Sequence, residues 1–134
     1  MKCRHFKILF RAVFLLYLAA VAFLCFGKFD SLPDVQKSLF GIPTDKIVHF
    51  CMFFPFPPTG FHSFANEKKG LMHSLLTLVC ICSFAAVFAG LTEVIQGSLP
   101  YRSEDLGDFA ADCLAIGISG ALVFLSCVIR SRKK

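Results

Sequence analysis

The sequence is poor in charge. Charged residues make up 17% of its 134 positions and hydrophobic residues 56%, whereas soluble domains have about 25% charged and about 45–50% apolar residues. This shortage argues against an ordinary soluble globular domain. Intrinsic disorder is excluded as well, because disordered chains have low hydrophobicity and few aromatics, and this chain has 17 phenylalanines. Its length allows one domain, 1–134.

The sequence also lacks a disulfide or zinc pattern, although it contains seven cysteines. Their number is odd, and all but Cys3 lie within or at the edge of apolar runs. Cys80 and Cys82 are two residues apart, and no second pair follows at zinc spacing. We interpret the cysteines as small buried hydrophobes and predict neither a metal nor a cofactor.

Four apolar segments are candidates for membrane spans, because about 20 helical residues cross about 30 Å of hydrocarbon. They are residues 8–26, 47–61, 71–95 and 109–129. The second segment is short and contains Pro55, Pro57 and Pro58, which remove backbone donors, so carbonyls around it need partners on neighbouring helices or water. The predicted fold is an all-α integral membrane bundle of four transmembrane helices, the second short and proline-broken.

Two local features accompany these spans. Basic residues precede the first one and Ala20-Val21-Ala22 offers a small-x-small cleavage site, as in a signal peptide; the apolar residues that continue through Phe26 favour a retained helix. In the long connection 28–46, Ser31-Leu32-Pro33-Asp34 resembles a helix start, and Leu32, Val35 and Leu39 share a helical face. A short amphipathic helix on the membrane surface fits this pattern.

The charges predict an orientation. Four spans place both termini and the loop 62–70 on one side, with ten cations against one acid, and leave four cations against eight acids on the other. The positive-inside rule then places both termini in the cytoplasm of a multi-pass protein of the cell membrane. The C-terminal cluster Arg130, Arg132, Lys133 and Lys134 is typical of contact with anionic membrane lipids rather than nucleic acid.

Polar residues in and beside the spans gather at the extracytoplasmic ends. The candidate binding residues are Asp45, Lys46, His49, Glu93, Gln96, Arg102, Asp105, Asp108 and Asp112. On a helix starting near Thr44, Asp45 and His49 share a face. Ionisable groups within a span cost several kcal/mol unless they are paired or face water, so we expect these residues to share one polar pocket. The alternatives are ordinary interfacial charges and, for His49, a core histidine bonded to a backbone carbonyl near the prolines.

Small residues predict that the third and fourth helices pack together with their acids facing each other. Glu93 follows Ser83, Ala86 and Gly90 at helical spacing. The fourth helix carries Ala115, Gly117, Ser119 and Gly120 on or near the line of its acidic residues. Small side chains allow membrane helices to approach closely.

Three segments together resemble the VanZ-like family of small membrane proteins, named for a teicoplanin-resistance accessory protein. These are DKIVHF at 45–50, EVIQ at 93–96 and YRSEDLGDFAADCLAIGISG at 101–120. The family pattern is matched by Asp45, Lys46, His49, Glu93, Gln96, Arg102, Asp105, Asp108, Gly117 and Gly120. Asp112 stands where the family usually has Asn. The resemblance covers about residues 8–130 and implies a membrane protein sometimes associated with glycopeptide or lipoglycopeptide resistance, with no settled activity.

Three functions compete. In the first, a non-enzymatic protein binds a lipid-linked or amphiphilic envelope molecule, with Lys46 and Arg102 holding a phosphate or carboxylate and the phenylalanine-rich spans holding acyl chains. The second is a hydrolase or transferase with His49 or Glu93 as general base and Arg102 stabilising an anion, although no serine elbow motif identifies a nucleophile. The third is a proton-coupled carrier. The polar pocket beside apolar surface favours the first.

Overall fold

The computed structural model describes residues 2–27, 38–39, 41–66, 70–101 and 104–133. Most of them are helical, which confirms the predicted all-α fold class at that level. The elements are α1 (Lys2–Phe26), β1 (Ser38–Leu39), β2 (Ile42–Pro43), α2 (Thr44–Phe53), α3 (Phe56–Phe64), α4 (Leu71–Gly97) and α5 (Leu106–Arg132). The boundaries of the predicted apolar segments lie within three residues of the observed helix ends, except that α1 starts six residues before the first segment.

Three helices, α1, α4 and α5, are long and apolar enough to cross a membrane. Helices α4 and α5 have 27 residues each, which corresponds to about 40 Å at about 1.5 Å per residue. Large apolar side chains on the outer faces of the long helices are exposed, such as Leu16 of α1 at 71% and Met72 and Val87 of α4 at 68% and 62%. Apolar surface of this extent is typical of contact with lipid rather than water.

The second predicted span consists of two helices, α2 and α3, separated at Phe54 and Pro55. Hydroxyl groups donate hydrogen bonds to the backbone around this break. The Tyr17 hydroxyl of α1 donates to the Met52 carbonyl, and Thr59 Oγ1 donates to the Pro55 carbonyl at 2.6 Å. The prolines thus break the helix as predicted, and part of the backbone near them is bonded to a neighbouring helix.

Together α2 and α3 extend from one end of the bundle to the other. The first turn of α2 lies beside the start of α5, where Lys46 Nζ is 3.1 Å from Asp108 Oδ1. The last turn of α3 lies beside the start of α1, where Ser63 Oγ donates to the Phe10 carbonyl at 3.1 Å. We call the first end, which contains the starts of α2 and α5 and the end of α4, the acidic end, and the opposite one the basic end.

A short antiparallel hairpin precedes α2. Ser38 pairs with Pro43 and Leu39 with Ile42, and Gly41 in the connecting turn has φ +80°, a conformation that glycine adopts without steric cost. Leu39 therefore belongs to a strand, and the predicted amphipathic helix does not reach it. The other positions of that prediction, Ser31 to Asp34 and Val35, lie outside the described residues.

Helices α4 and α5 pack together, as predicted, but not through every predicted residue. Ala89 and Ala115 are fully buried, and a Cβ placed on Gly120 would lie 2.9 Å from Cys82 Sγ. Ser83 is exposed, and a Cβ placed on Gly117 would meet no neighbouring element of the described chain within 4 Å, so the prediction was wrong for these two. For Ser83 the reason is geometric: the buried face of α4 contains Ala85, Ala89 and Thr92 and lies beside the predicted row of small residues on that helix.

Substituting valine for Gly120 should destabilise the bundle more than the same change at Gly117. The added side chain at 120 meets Cys82, whereas that at 117 meets open space; overpacking typically costs about 1–3 kcal/mol. Thermal unfolding of G120V and G117V in detergent micelles measures the difference. Equal melting temperatures would contradict the close approach of α4 and α5 at Gly120.

Candidate functional site

The site lies at the acidic end, where the backbone places polar side chains from three helices together. Helix α2 begins at Thr44 after the extended Pro43, so Lys46 is in its first turn and His49 one turn further on. Helix α5 is capped by Asp105, whose carboxylate accepts from the Gly107 N–H at 2.6 Å, a favourable start for a helix. This cap places Asp108 in the first turn of α5.

The outer cluster consists of Asp45, Lys46, Asp105 and Asp108. Lys46 Nζ lies 2.5 Å from Asp105 Oδ2 and 3.1 Å from Asp108 Oδ1, and Asp45, Asp105 and Asp108 each offer a carboxylate oxygen within 4.8 Å of the others. The side chains of Lys46 and Asp105 are 26% and 46% exposed. The hydrogen bond between them lowers the pKa of Asp105 and raises that of Lys46. Lys46 is therefore already paired, and in the outer cluster Asp45 and Asp105 are accessible while Asp108 is buried.

The inner cluster consists of His49, Glu93 and Asp112, which are 5%, 7% and 0% exposed. His49 Nδ1 lies 3.2 Å from Asp112 Oδ1 and 3.7 Å from Glu93 Oε1. On the other side of the ring, His49 Nε2 faces Asp108 Oδ2 at 3.8 Å. His49 thus bonds a carboxylate rather than a backbone carbonyl near the prolines, and it connects the inner cluster to the outer one.

Glu93 is oriented by a backbone group. The Asp105 N–H donates to Glu93 Oε2 at 3.2 Å, while Glu93 Oε1, also buried, has no hydrogen-bond partner among the described residues. This contribution from the backbone was not predicted. A signal for it exists in the sequence, because the first N–H groups of a helix lack intrahelical partners and Asp105 precedes the predicted fourth helix.

Gln96 takes a different role from the other predicted site residues. It is 2% exposed, and its Nε2 donates to the Cys25 carbonyl at 2.9 Å. Tyr101 likewise donates from its hydroxyl to the Phe26 carbonyl at 3.1 Å. Both carbonyls belong to the last residues of α1, which lack intrahelical donors, so Gln96 anchors α1. The remaining predicted residue, Arg102, lies outside the described residues.

The structure therefore brings together most of the predicted residues from separate helices. They are Asp45, Lys46, His49, Glu93, Asp105, Asp108 and Asp112. Their separation into an outer and an inner cluster, and the identity of the two acids that Lys46 pairs with, were not predicted. No disulfide is formed by Cys25, Cys51, Cys80, Cys82, Cys113 or Cys127.

No family model, curated protein or solved structure matches this chain. A functional interpretation therefore depends on the chemistry of the two clusters and on the position of the acidic end in the bundle.

Replacing Lys46 by glutamine should lower the melting temperature in a pH-dependent manner. Because the pairing lowers the pKa of Asp105, it stabilises the fold at pH values above about 3.9, the pKa of an unpaired Asp. Because it raises the pKa of Lys46, it also stabilises the fold at pH values below about 10.4, the pKa of an unpaired Lys. The difference in melting temperature between wild type and K46Q should hold from about pH 5 to pH 9 and shrink as the pH falls below about 3.9, where the unfolded chain takes up protons before the paired Asp105 does. K133Q, at the exposed basic end, is the control. A difference that is unchanged at pH 3 would contradict the pairing.

Replacing Gln96 by leucine should destabilise the protein by about 1–3 kcal/mol, because the buried Cys25 carbonyl loses its donor. The matched change S98A removes an exposed hydrogen bond to the Val94 carbonyl on the same helix and should cost much less. Thermal unfolding in detergent compares the two variants. Equal stability of Q96L and wild type would show that Gln96 does not anchor α1.

Proposed function

We propose that this protein is a multi-pass protein of the cell membrane, with both termini in the cytoplasm, that binds the polar head of a lipid-linked or amphiphilic envelope molecule at its acidic end. The observation that carries the proposal is the graded exposure of this end. Asp105 is 46% exposed on its side chain, Lys46 26% and Asp108 10%, and Asp112 is buried. A polar group entering from outside would meet hydrogen-bonding partners at each depth.

The membrane location is supported by three helices that are long and apolar enough to span. The orientation is supported by the separation of charge. Lys7 and Arg11 donate to carbonyls at the end of α3, and Arg130 lies in the last turn of α5, so these cations share the basic end. The positive-inside rule assigns that end to the cytoplasm and the acidic end to the outer side.

The charge of the site indicates which head groups it would take. Its acids outnumber its described cations, and Lys46 is bonded to both Asp105 and Asp108. Carboxylates accept hydrogen bonds, so the site favours a head group rich in hydroxyl or amine donors, such as a sugar or an amino-bearing peptide. Arg102 stays the predicted partner of a phosphate or carboxylate on the same molecule.

An apolar groove between α3 and α5 supports a place for an acyl chain. It is lined by Phe54, Pro58, Phe61, Leu122 and Val123, with Ser119 and Arg130 among its other residues. Ser119 is seven residues from Asp112 on α5, about 10 Å along the helix axis. The groove thus extends from below the inner cluster towards the basic end.

The VanZ-like resemblance supports the same site. DKIVHF, EVIQ and the segment 101–120 carry the resemblance, and contacts of the two clusters join residues from all three. Asp112, which departs from the family pattern, bonds His49. If the resemblance extends to function, binding at the acidic end connects the protein with glycopeptide or lipoglycopeptide resistance.

Lipid analysis of gently purified protein tests the proposal. Wild type should retain one amphiphile enriched over bulk phospholipid, and D108N should retain at least about tenfold less, because each tenfold loss corresponds to only about 1.4 kcal/mol. E104Q, a change in an exposed acid of the same end, should retain the wild-type level. Recovery of bulk phospholipid alone, unchanged in D108N, would refute the proposal.

One contact favours an enzyme as the second candidate. His49 is held by the Asp112 carboxylate at 3.2 Å, as a general base is oriented in many hydrolases. A hydrolase or transferase acting on an envelope lipid would use His49 as the base. A cellular phenotype that depends on the protein separates the candidates: full function in both H49A and E93Q would exclude the enzyme.

A further inference from the structure

We infer that the inner cluster binds a divalent transition-metal ion of the Zn²⁺ class. The amino-acid pattern alone predicted no metal, and the inference does not rest on the proposed lipid binding. The two clusters differ in their compensation of charge. In the outer cluster, Lys46 Nζ bonds Asp105 and Asp108. The inner cluster combines two carboxylates with a single imidazole.

The distances fit a metal ion. Zn²⁺ bonds nitrogen and oxygen ligands at about 2.0–2.2 Å, which places two ligand atoms of a tetrahedral site about 3.4 Å apart. His49 Nδ1 is 3.2 Å from Asp112 Oδ1 and 3.7 Å from Glu93 Oε1, on either side of that value. The ligand atoms of all three residues lie within 4.8 Å of one another, so small side-chain movements bring them around one ion.

An unpartnered atom indicates a ligand at this position. Glu93 Oε1 is buried and has no hydrogen-bond partner in the described part of the chain, on a side chain that is only 9% exposed. Its other oxygen is fixed by the Asp105 N–H, and Oε1 faces His49 Nδ1 at 3.7 Å. Leaving a buried carboxylate oxygen unsatisfied is costly, whereas a cation between Glu93, Asp112 and His49 supplies the missing partner.

The surroundings and the donor set favour zinc over magnesium or calcium. A metal-bound histidine usually donates its second ring N–H to a carboxylate, a backbone carbonyl or water, and Asp108 Oδ2 faces His49 Nε2 at 3.8 Å. Mg²⁺ and Ca²⁺ prefer oxygen ligands in larger number, whereas imidazole with carboxylates suits Zn²⁺ and related ions. With three protein ligands, the fourth position of a tetrahedral ion stays open for water or another ligand.

Zinc binding to the purified, EDTA-stripped full chain tests the inference. Equilibrium dialysis followed by elemental analysis should show one Zn²⁺ per chain that Mg²⁺ in hundredfold excess does not displace. E93Q keeps the size of the side chain but removes its charge. Replacing a residue that only supports a metal ligand typically weakens metal binding by about 10- to 100-fold, and E93Q should weaken Zn²⁺ binding by more than that. The matched control E104Q should bind as wild type.

Two further measurements keep the result interpretable. Wild type should melt at a higher temperature with Zn²⁺ than without, since an ion that binds only the folded state stabilises it; E93Q should fold yet lack this shift. Co²⁺ as a spectroscopic probe should give bands of nitrogen and oxygen ligation, not thiolate charge transfer. Three results would overturn the inference: no Zn²⁺ bound to folded wild type, equal Zn²⁺ binding by E93Q and wild type, or a Co²⁺ spectrum with thiolate charge transfer. The first would show that hydrogen bonds and shared protons hold the inner cluster together without a metal ion.

Discussion

The contact between His49 and Asp112 is the constraint on which the acidic end depends. Both groups are buried, and burying an ionisable group is tolerated only when it is paired or hydrogen-bonded. The contact joins α2 to α5 at 3.2 Å, and it holds α2, which the break at Phe54 and Pro55 separates from α3. The break at Phe54 and Pro55 weakens the backbone connection, so side-chain contacts of this kind have to position α2.

The two clusters show how one end of a small bundle accommodates many acids. The outer acids Asp105 and Asp108 are paired with a cation, Lys46, while Glu93 and Asp112 are reached by His49 and one backbone N–H. The partner of each acid, a lysine or a histidine, therefore distinguishes two chemical environments within a few ångströms. The outer one suits reversible contact with a polar head group, and the inner one suits a tightly held ligand.

The sequence predicted the positions of the long apolar helices well because they depend on length and hydropathy, which are local properties. It also predicted that acids from separate helices converge, because an isolated ionisable group in a span is unfavourable. It failed where the outcome depends on the rotation of a helix: Ser83 and Gly117 were assigned to the packed face and point outward. The particular partners of Lys46 were not predicted either, since a partner 59 residues away is fixed by the packing of α2 against α5.

The way α1 is attached at the acidic end has a consequence for how this protein can diverge. Gln96 and Tyr101 bond the carbonyls of Cys25 and Phe26, and a backbone carbonyl is present whichever residue occupies the position. The end of α1 can therefore accept substitutions of similar size without losing these two bonds, while most of its outer face needs only to be apolar. Sequence drift should accumulate fastest in this helix, so the common ancestry of distant relatives would be easier to recognise from the three segments that form the acidic end than from α1.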